Sequence, residues 1–311
     1  MKTEPVIEID DLTRYFGTKC AVGGVSFTIP RGSVFGFLGR NGSGKTTTIR
    51  MLLGLLEPTR GSSRILGHDS QDLPPEVRAK IGYMAEGHHL HGWMKVKECR
   101  AFQRAFYEPH WDDILFEGVI EHFGLAPDAK VNNLSRGQRA GLCLALTLAT
   151  CPEVLVLDDP ALGLDPVARR LLLESMVYVT RDRQRTILFS SHLLSDVERV
   201  ADQIAVMEHG VLRAFCGADT FRERVRRLVL HFESDRPPNL PPIPGLLTAL
   251  RDTDTLTLTI ANFDEHVEAQ LDALGPSRIE RIEINLEEAF IGYMGERGER
   301  RSFYTALGGA K

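Results

Sequence analysis

The sequence predicts a mainly parallel α/β core that carries an antiparallel β subdomain and a helical lobe, followed by a small C-terminal α+β domain. Three observations predict it. Short apolar runs (Val34 to Leu38, Val154 to Asp158, Thr186 to Ser190, Ile204 to Met207) alternate with helical periodicity, as in a sheet covered on both faces. Between about residues 87 and 135 such runs vanish and amphipathic helices replace them. Past residue 218 the composition shifts again around a proline-rich stretch.

Taken in order, residues 5–32 place Val6 and Ile9, then Val25, Phe27 and Ile29, in the alternation of antiparallel strands with one face buried. The strand Val34 to Leu38 runs into a glycine loop and then a helix through Ile49, Met51 and Leu52. Lys97 to Phe106 and Asp113 to Phe123 form the lobe helices, and Arg139 to Thr150 is a further helical run. The strand from Val154 ends in two adjacent carboxylates, Asp158 and Asp159, ahead of Pro160. The strand Thr186 to Ser190 ends in Ser191 and His192.

The linker Arg236 to Gly245 cannot be regular helix or sheet because its prolines lack amide donors. Around it lie strand signals at Leu228 to Phe232, Leu256 to Ile260 and Ile279 to Ile284, and helical ones at Asp264 to Leu274 and Leu286 to Met294. These features divide the chain into domains at 1–218 and 219–311.

Composition narrows the function. At 311 residues, 43% hydrophobic and 25% charged, the chain is long enough for two cores. A net charge of -5 gives no basic footprint, so no nucleic-acid partner is expected. Five scattered cysteines without paired spacing read as reduced cytosolic thiols. The longest apolar stretch, Gly141 to Cys151, falls far short of the ~20 residues a membrane-spanning helix needs. Met1-Lys-Thr-Glu-Pro5 leads into charged residues rather than an apolar signal core, so a soluble chain is expected.

The strongest motif is Gly39-Arg40-Asn41-Gly42-Ser43-Gly44-Lys45-Thr46-Thr47, which sits between a strand and a helix as a phosphate loop must. Its glycines let backbone N–H groups turn toward phosphate oxygens, and the helix dipole favours the anion. Lys45 neutralises β and γ charge, and Thr46 offers a hydroxyl to Mg²⁺. The loop residues Gly39, Asn41, Gly42, Ser43, Gly44, Lys45, Thr46 and Thr47 are therefore the predicted nucleotide-binding set. Asp158, at the tip of a neighbouring strand, is placed to hold Mg²⁺, and Asp159 to face the attacking water.

On these residues the chain resembles the nucleotide-binding subunit of ATP-binding cassette (ABC) transporters, over roughly residues 5 to 218. The phosphate loop is one carrier of the resemblance, and Leu134-Ser135-Arg136-Gly137-Gln138, similar to the family's LSGGQ signature, is another. Val154 to Asp159 matches its Walker B strand, Ala161 to Asp165 its D-loop, and Ser191-His192 its switch histidine. Taken alone, Leu134 to Gln138 would be only a helix cap.

The resemblance implies that Ser135, Gly137 and Gln138 serve the γ-phosphate of ATP held by another copy, so that two cassettes dimerise head to tail. It implies that Asp159 and His192 are catalytic, that Thr46, Asp158 and Glu86 hold Mg²⁺, and that adenine stacks on Phe16, with Tyr15 as the fallback. It also implies that the segment Glu86 to Glu98 leads to a lobe that docks a separate integral membrane subunit, and so a place for the chain on the cytoplasmic inner face of the cell membrane. Ile284 to Phe290 is similar to the tail of export-type cassettes.

Three positions depart from the family pattern. Asp159 stands where a glutamate is usual, one methylene shorter, and a misplaced general base forfeits part of a ~10²–10⁴-fold contribution, so slow hydrolysis is expected. Glu86 stands where glutamine is usual, and Arg136 where the signature has its first glycine. His88, His89 and His91 form either a metal set or, the preferred reading, a partner-facing or solvated loop. Two rival functions remain at this level: a soluble ABC ATPase of translation or DNA repair, and a switch that closes on ATP but scarcely hydrolyses it. The single cassette, without long heptads or a basic arm, favours the transporter subunit.

Overall fold

A computed structural model describes residues 4–180, 185–220, 225–233, 237–282 and 298–301. The chain forms two compact units, Met1–Phe215 and Cys216–Lys311.

In the first unit two long strands, β1 (Pro5–Phe16) and β2 (Lys19–Pro30), pair antiparallel. β4 (Arg60–Ile65) and β5 (His68–Asp69) extend them into a four-stranded sheet ordered β2-β1-β4-β5. The second sheet contains β3 (Val34–Leu38), β6 (Ile81–Met84), β7 (Val154–Leu157), β8 (Thr186–Ser191), β9 (Gln203–Glu208) and β10 (Val211–Gly217), in the order β10-β9-β3-β8-β7-β6. β3 pairs parallel with both β8 and β9, and β7 with both β6 and β8.

Every residue of β3, β7 and β8 is buried, which explains the unbroken apolar sequences of β3 and β7. β2 instead alternates, burying Val25, Phe27 and Ile29. Phe27 of β2 stacks on Phe35 of β3 with ring centroids 5.0 Å apart, so a shared core joins the two sheets.

α1 (Lys45–Leu52) follows β3, and the short α2 (Pro75–Arg78) precedes β6. The helical lobe comprises α3 (Val96–Tyr107) and α4 (Asp113–His122), with α5 (Arg136–Leu148) leading back to β7. α6 (Pro166–Thr180) and α7 (Leu194–Val200) follow β7 and β8. Asp112 caps α4 by accepting the Leu115 N–H at 2.9 Å.

The second unit is a five-stranded sheet ordered β14-β11-β13-β12-β15 with a helix, α8 (Glu265–Asp272). Its strands are β11 (Val225–His231), β12 (Leu246–Arg251), β13 (Thr255–Ala261), β14 (Arg278–Ile282) and β15 (Gly298–Arg301). Two features differ from expectation. The proline-rich stretch is part of this unit's packing: Ile243 is buried in its core, and Arg251 donates to the carbonyls of Pro237 and Pro238. Gly298 to Arg301, outside the strand signals of the sequence, pair parallel with β12. The predicted helix Leu286 to Met294 and the export-type stretch Ile284 to Phe290 lie outside the described residues.

Candidate functional site

The phosphate loop leaves β3 at Gly39 and enters α1 at Lys45. Its glycines meet steric demands. A Cβ on Gly39 would lie 2.5 Å from the Met207 carbonyl oxygen, and Gly44 adopts φ 108° where a Cβ would lie 2.6 Å from the Ala21 carbonyl oxygen. No side chain caps the start of α1, so its first amides keep their capacity to bind an anion. Lys45 is only 6% exposed; its Nζ donates to the carbonyl of Gly39 at 2.6 Å and of Arg40 at 3.3 Å. Desolvation lowers its pKa, while Asp159, Asp158 and Glu86 pull it back up.

The neighbouring strand tips bring the two aspartates to this ammonium. Asp158 Oδ1 accepts from Thr46 Oγ1 at 3.1 Å and from Ser190 Oγ at 2.8 Å. Its Oδ2 is buried with no hydrogen-bond partner. Burial is the chief cause that raises the Asp158 pKa, and the two hydroxyl contacts oppose it. A buried, half-satisfied carboxylate beside a threonine hydroxyl is a hard-oxygen set that fits a divalent cation such as Mg²⁺.

Asp159 takes φ 44°, and its N–H donates to Ser190 Oγ at 2.8 Å. His192 Nδ1 lies 3.1 Å from Asp159 Oδ2, which assigns the proton to Nδ1. Behind His192, Ser191 Oγ lies 3.1 Å from Asp196 Oδ2, and Arg169 of α6 ion-pairs with Asp196 Oδ1 at 2.8 Å.

These groups surround a cleft of about 580 Å³ lined by Phe16, Asn41, Gly42, Gly44, Lys45, Thr46, Thr47, Glu86 and Asp159, together with Lys19, Cys20, Ala21, His209 and Gly210. Asp158 and Ser43 are buried, and Gly39 lies against the Ser43 side chain. Phe16, 49% exposed, lies on the cleft with the Arg14 guanidinium 4.9 Å from its ring centroid; Tyr15, equally open, is not a lining residue. The five lining residues that sequence reasoning missed come from β2 and from the β9–β10 turn, whose Gly210 N–H donates to the Ser43 carbonyl at 2.9 Å. They carry no local signal; only packing of that turn on the loop brings them in.

The predicted residues Ser135, Gly137 and Gln138 do not line this cleft. They form the N-terminus of α5, where Ser135 and Gln138 cap each other reciprocally at 3.1 Å in both directions. Gly137 is there for packing as well, since a Cβ on it would lie 2.4 Å from the Ala168 Cβ of α6.

The three histidines do not converge, and among the described residues no group of three metal-ligating side chains forms. His88, read as part of a partner-facing or solvated loop, is instead buried with Nε2 2.8 Å from the Pro160 carbonyl oxygen, and burial lowers its pKa. His91 packs beside Trp93 and Phe102.

Comparison with known proteins falls on the same elements. A family model described as ABC transporter matches residues 22–162. The bacitracin transport ATP-binding protein BcrA of Bacillus licheniformis is 33% identical over 74% of this chain and 76% of its own length. The Nod factor export ATP-binding protein I of Burkholderia lata is 37% identical over 66% of this chain and 69% of its own. A solved ATP-binding subunit of an ABC transporter superposes with a TM-score of 0.63 at 27% identity, covering 70% of this chain and 92% of that one. Phosphate loop, carboxylate pair and homology thus coincide, and the chain belongs to the ABC transporter family as an ATP-binding, ATP-hydrolysing subunit.

Proposed function

We propose that this chain powers export through a separate integral membrane subunit, with its own residues divided as follows. Phe16 stacks on adenine, and Gly39, Asn41, Gly42, Ser43, Gly44, Lys45, Thr46 and Thr47 cradle the phosphates. Thr46, Asp158 and Glu86 would hold Mg²⁺, which when bound would supply neutralisation of phosphate charge. Asp159 polarises the attacking water, and His192, hydrogen-bonded to it, keeps that carboxylate oriented.

Ser135, Gly137 and Gln138 serve the nucleotide of a second copy, so two cassettes close around two nucleotides and reopen after hydrolysis. Their place outside this chain's own cleft supports that assignment. The exposed Trp93, Phe102 and Phe106 support docking of a membrane subunit on the lobe, and with it a place on the cytoplasmic face of the membrane. Residues 219–311 act as an accessory domain beside a cassette of 1–218, in contact between copies or in control of the partner. The printed names of the two relatives, one in bacitracin transport and one in Nod factor export, support the exporter reading.

The observation that carries this reading is the buried Asp158–Thr46 contact beneath a cleft walled by Lys45 and Asp159. Magnesium-dependent phosphate release tests it. Asp159→Asn should lower kcat by at least ~10²-fold, and Asp159→Glu, which restores reach, should raise it by about tenfold. Turnover unchanged by Asp159→Asn would refute the assignment and favour the weakly hydrolysing switch.

A further inference from the structure

Asp159 sits at φ 44°, and a non-glycine residue stays in the left-handed region only where its surroundings hold it. On its N-terminal side the hold is its own N–H bonded to Ser190 Oγ. On its C-terminal side Pro160 has a ring-locked φ, and the Pro160 carbonyl meets His88 Nε2 at 2.8 Å. A carbonyl only accepts, so Nε2 carries the hydrogen and donates it.

His88 is 5% exposed and takes φ 52°, directly after Gly87 at φ 87°. It lies between β6 and α3, in the segment that leaves the core for the helical lobe. One hydrogen bond therefore joins the base of the lobe to the Pro160–Ala161 peptide, one residue past Asp159.

We propose that His88 is a positioning residue for ATP hydrolysis: its Nε2–H, bonded to Pro160 O, holds the backbone that presents Asp159 to water and links that backbone to the segment entering the lobe. A displacement of residues 86–90 reaches Asp159 through this bond, which offers a physical path from a moving membrane partner to hydrolysis. The inference rests on the reading of Asp159 given above. Filling space in the core would require only a side chain of similar bulk, whereas positioning requires a donor at the Nε2 place.

Steady-state hydrolysis of Mg-ATP by the full chain, run beside thermal unfolding, separates these roles. His88→Leu should lower kcat about tenfold with KM for ATP changed less than about twofold. His88→Gln, whose amide nitrogen is as many bonds from Cα as Nε2, should return kcat to within about threefold of the native value. If His88→Leu does not fold, His88→Asn, one bond too short, takes its place against His88→Gln.

Equal kcat in the donor-bearing and donor-lacking variants overturns the proposal, as does a loss that tracks only a lowered unfolding midpoint. Asp159→Asn is measured in the same series. If it is inactive while His88→Leu keeps native kcat, only the His88 proposal fails. If it is fully active, the underlying reading of Asp159 fails.

Discussion

Replacing Arg169 by leucine tests the buried charge behind His192. Asp196 is 2% exposed, with Oδ1 paired to Arg169 at 2.8 Å and Oδ2 3.1 Å from Ser191 Oγ. Burial raises the Asp196 pKa more than Arg169 and Ser191 lower it, so the carboxylate is costly even with its cation present. Removing one partner of a fully enclosed pair costs about 3–5 kcal/mol; the Arg169 side chain keeps 25% exposure, so about 2–4 kcal/mol is expected at neutral pH.

The sign with pH follows from the raised pKa. A carboxyl whose folded pKa lies above its unfolded value costs nothing while protonated, and its cost appears as pH rises from the ordinary carboxylate range through the folded pKa. Loss of Arg169 raises that pKa further, so the stability gap between variant and native chain widens across this window and narrows in acid. Urea unfolding at pH 7.5 and pH 5 reads this through Trp111, because both tryptophans lie in the first unit. Asp196→Asn should recover at least half of the loss in the Arg169→Leu background, since an amide needs no cation. A gap that is the same at both pH values, or that Asp196→Asn leaves unrelieved, would refute the buried-charge account.

Two further outcomes follow from packing and titration. Gly137→Ala places a methyl 2.4 Å from the Ala168 Cβ, and overpacking should cost about 1–3 kcal/mol in the same unfolding assay, with Ala168→Gly relieving it. A thiolate-directed reagent at pH 8 should modify the exposed Cys20 in the folded chain, and Cys151, exposed but with its thiol pushed up by partial burial, more slowly. It should reach buried Cys99, and Cys143 whose thiol burial pushes up to about 12, only after denaturation.

Parts of this molecule were legible residue by residue. Val34 to Leu38 matches β3 to the residue, because a strand buried on both faces must be continuously apolar. The phosphate loop was legible because glycine spacing, the lysine and the flanking strand and helix are all local. The strand β12 was missed because it follows directly on the proline run, and β15 because Gly298 to Arg301 carries no apolar residue. His88 was misplaced for a similar reason: a histidine beside two others signals exposure, and nothing nearby in sequence announces a bond to Pro160, 72 residues away.

The sequence by itself determined the class of chemistry, since binding a nucleotide at one loop needs only short-range features: backbone amides, a cation and a strand–helix junction. Periodicity also separated the antiparallel strands of residues 5–32, the core strands such as β3, β7 and β8, and the lobe helices. Only the tertiary structure decided how the chemistry is held. The contact of Thr46 with Asp158, the contact of His192 with Asp159, the Arg169–Asp196 pair and the His88 clamp on Pro160 all join residues far apart in the chain. Such pairs exist because the low-dielectric interior makes an unsatisfied polar group costly, and only three-dimensional packing selects which distant group satisfies it.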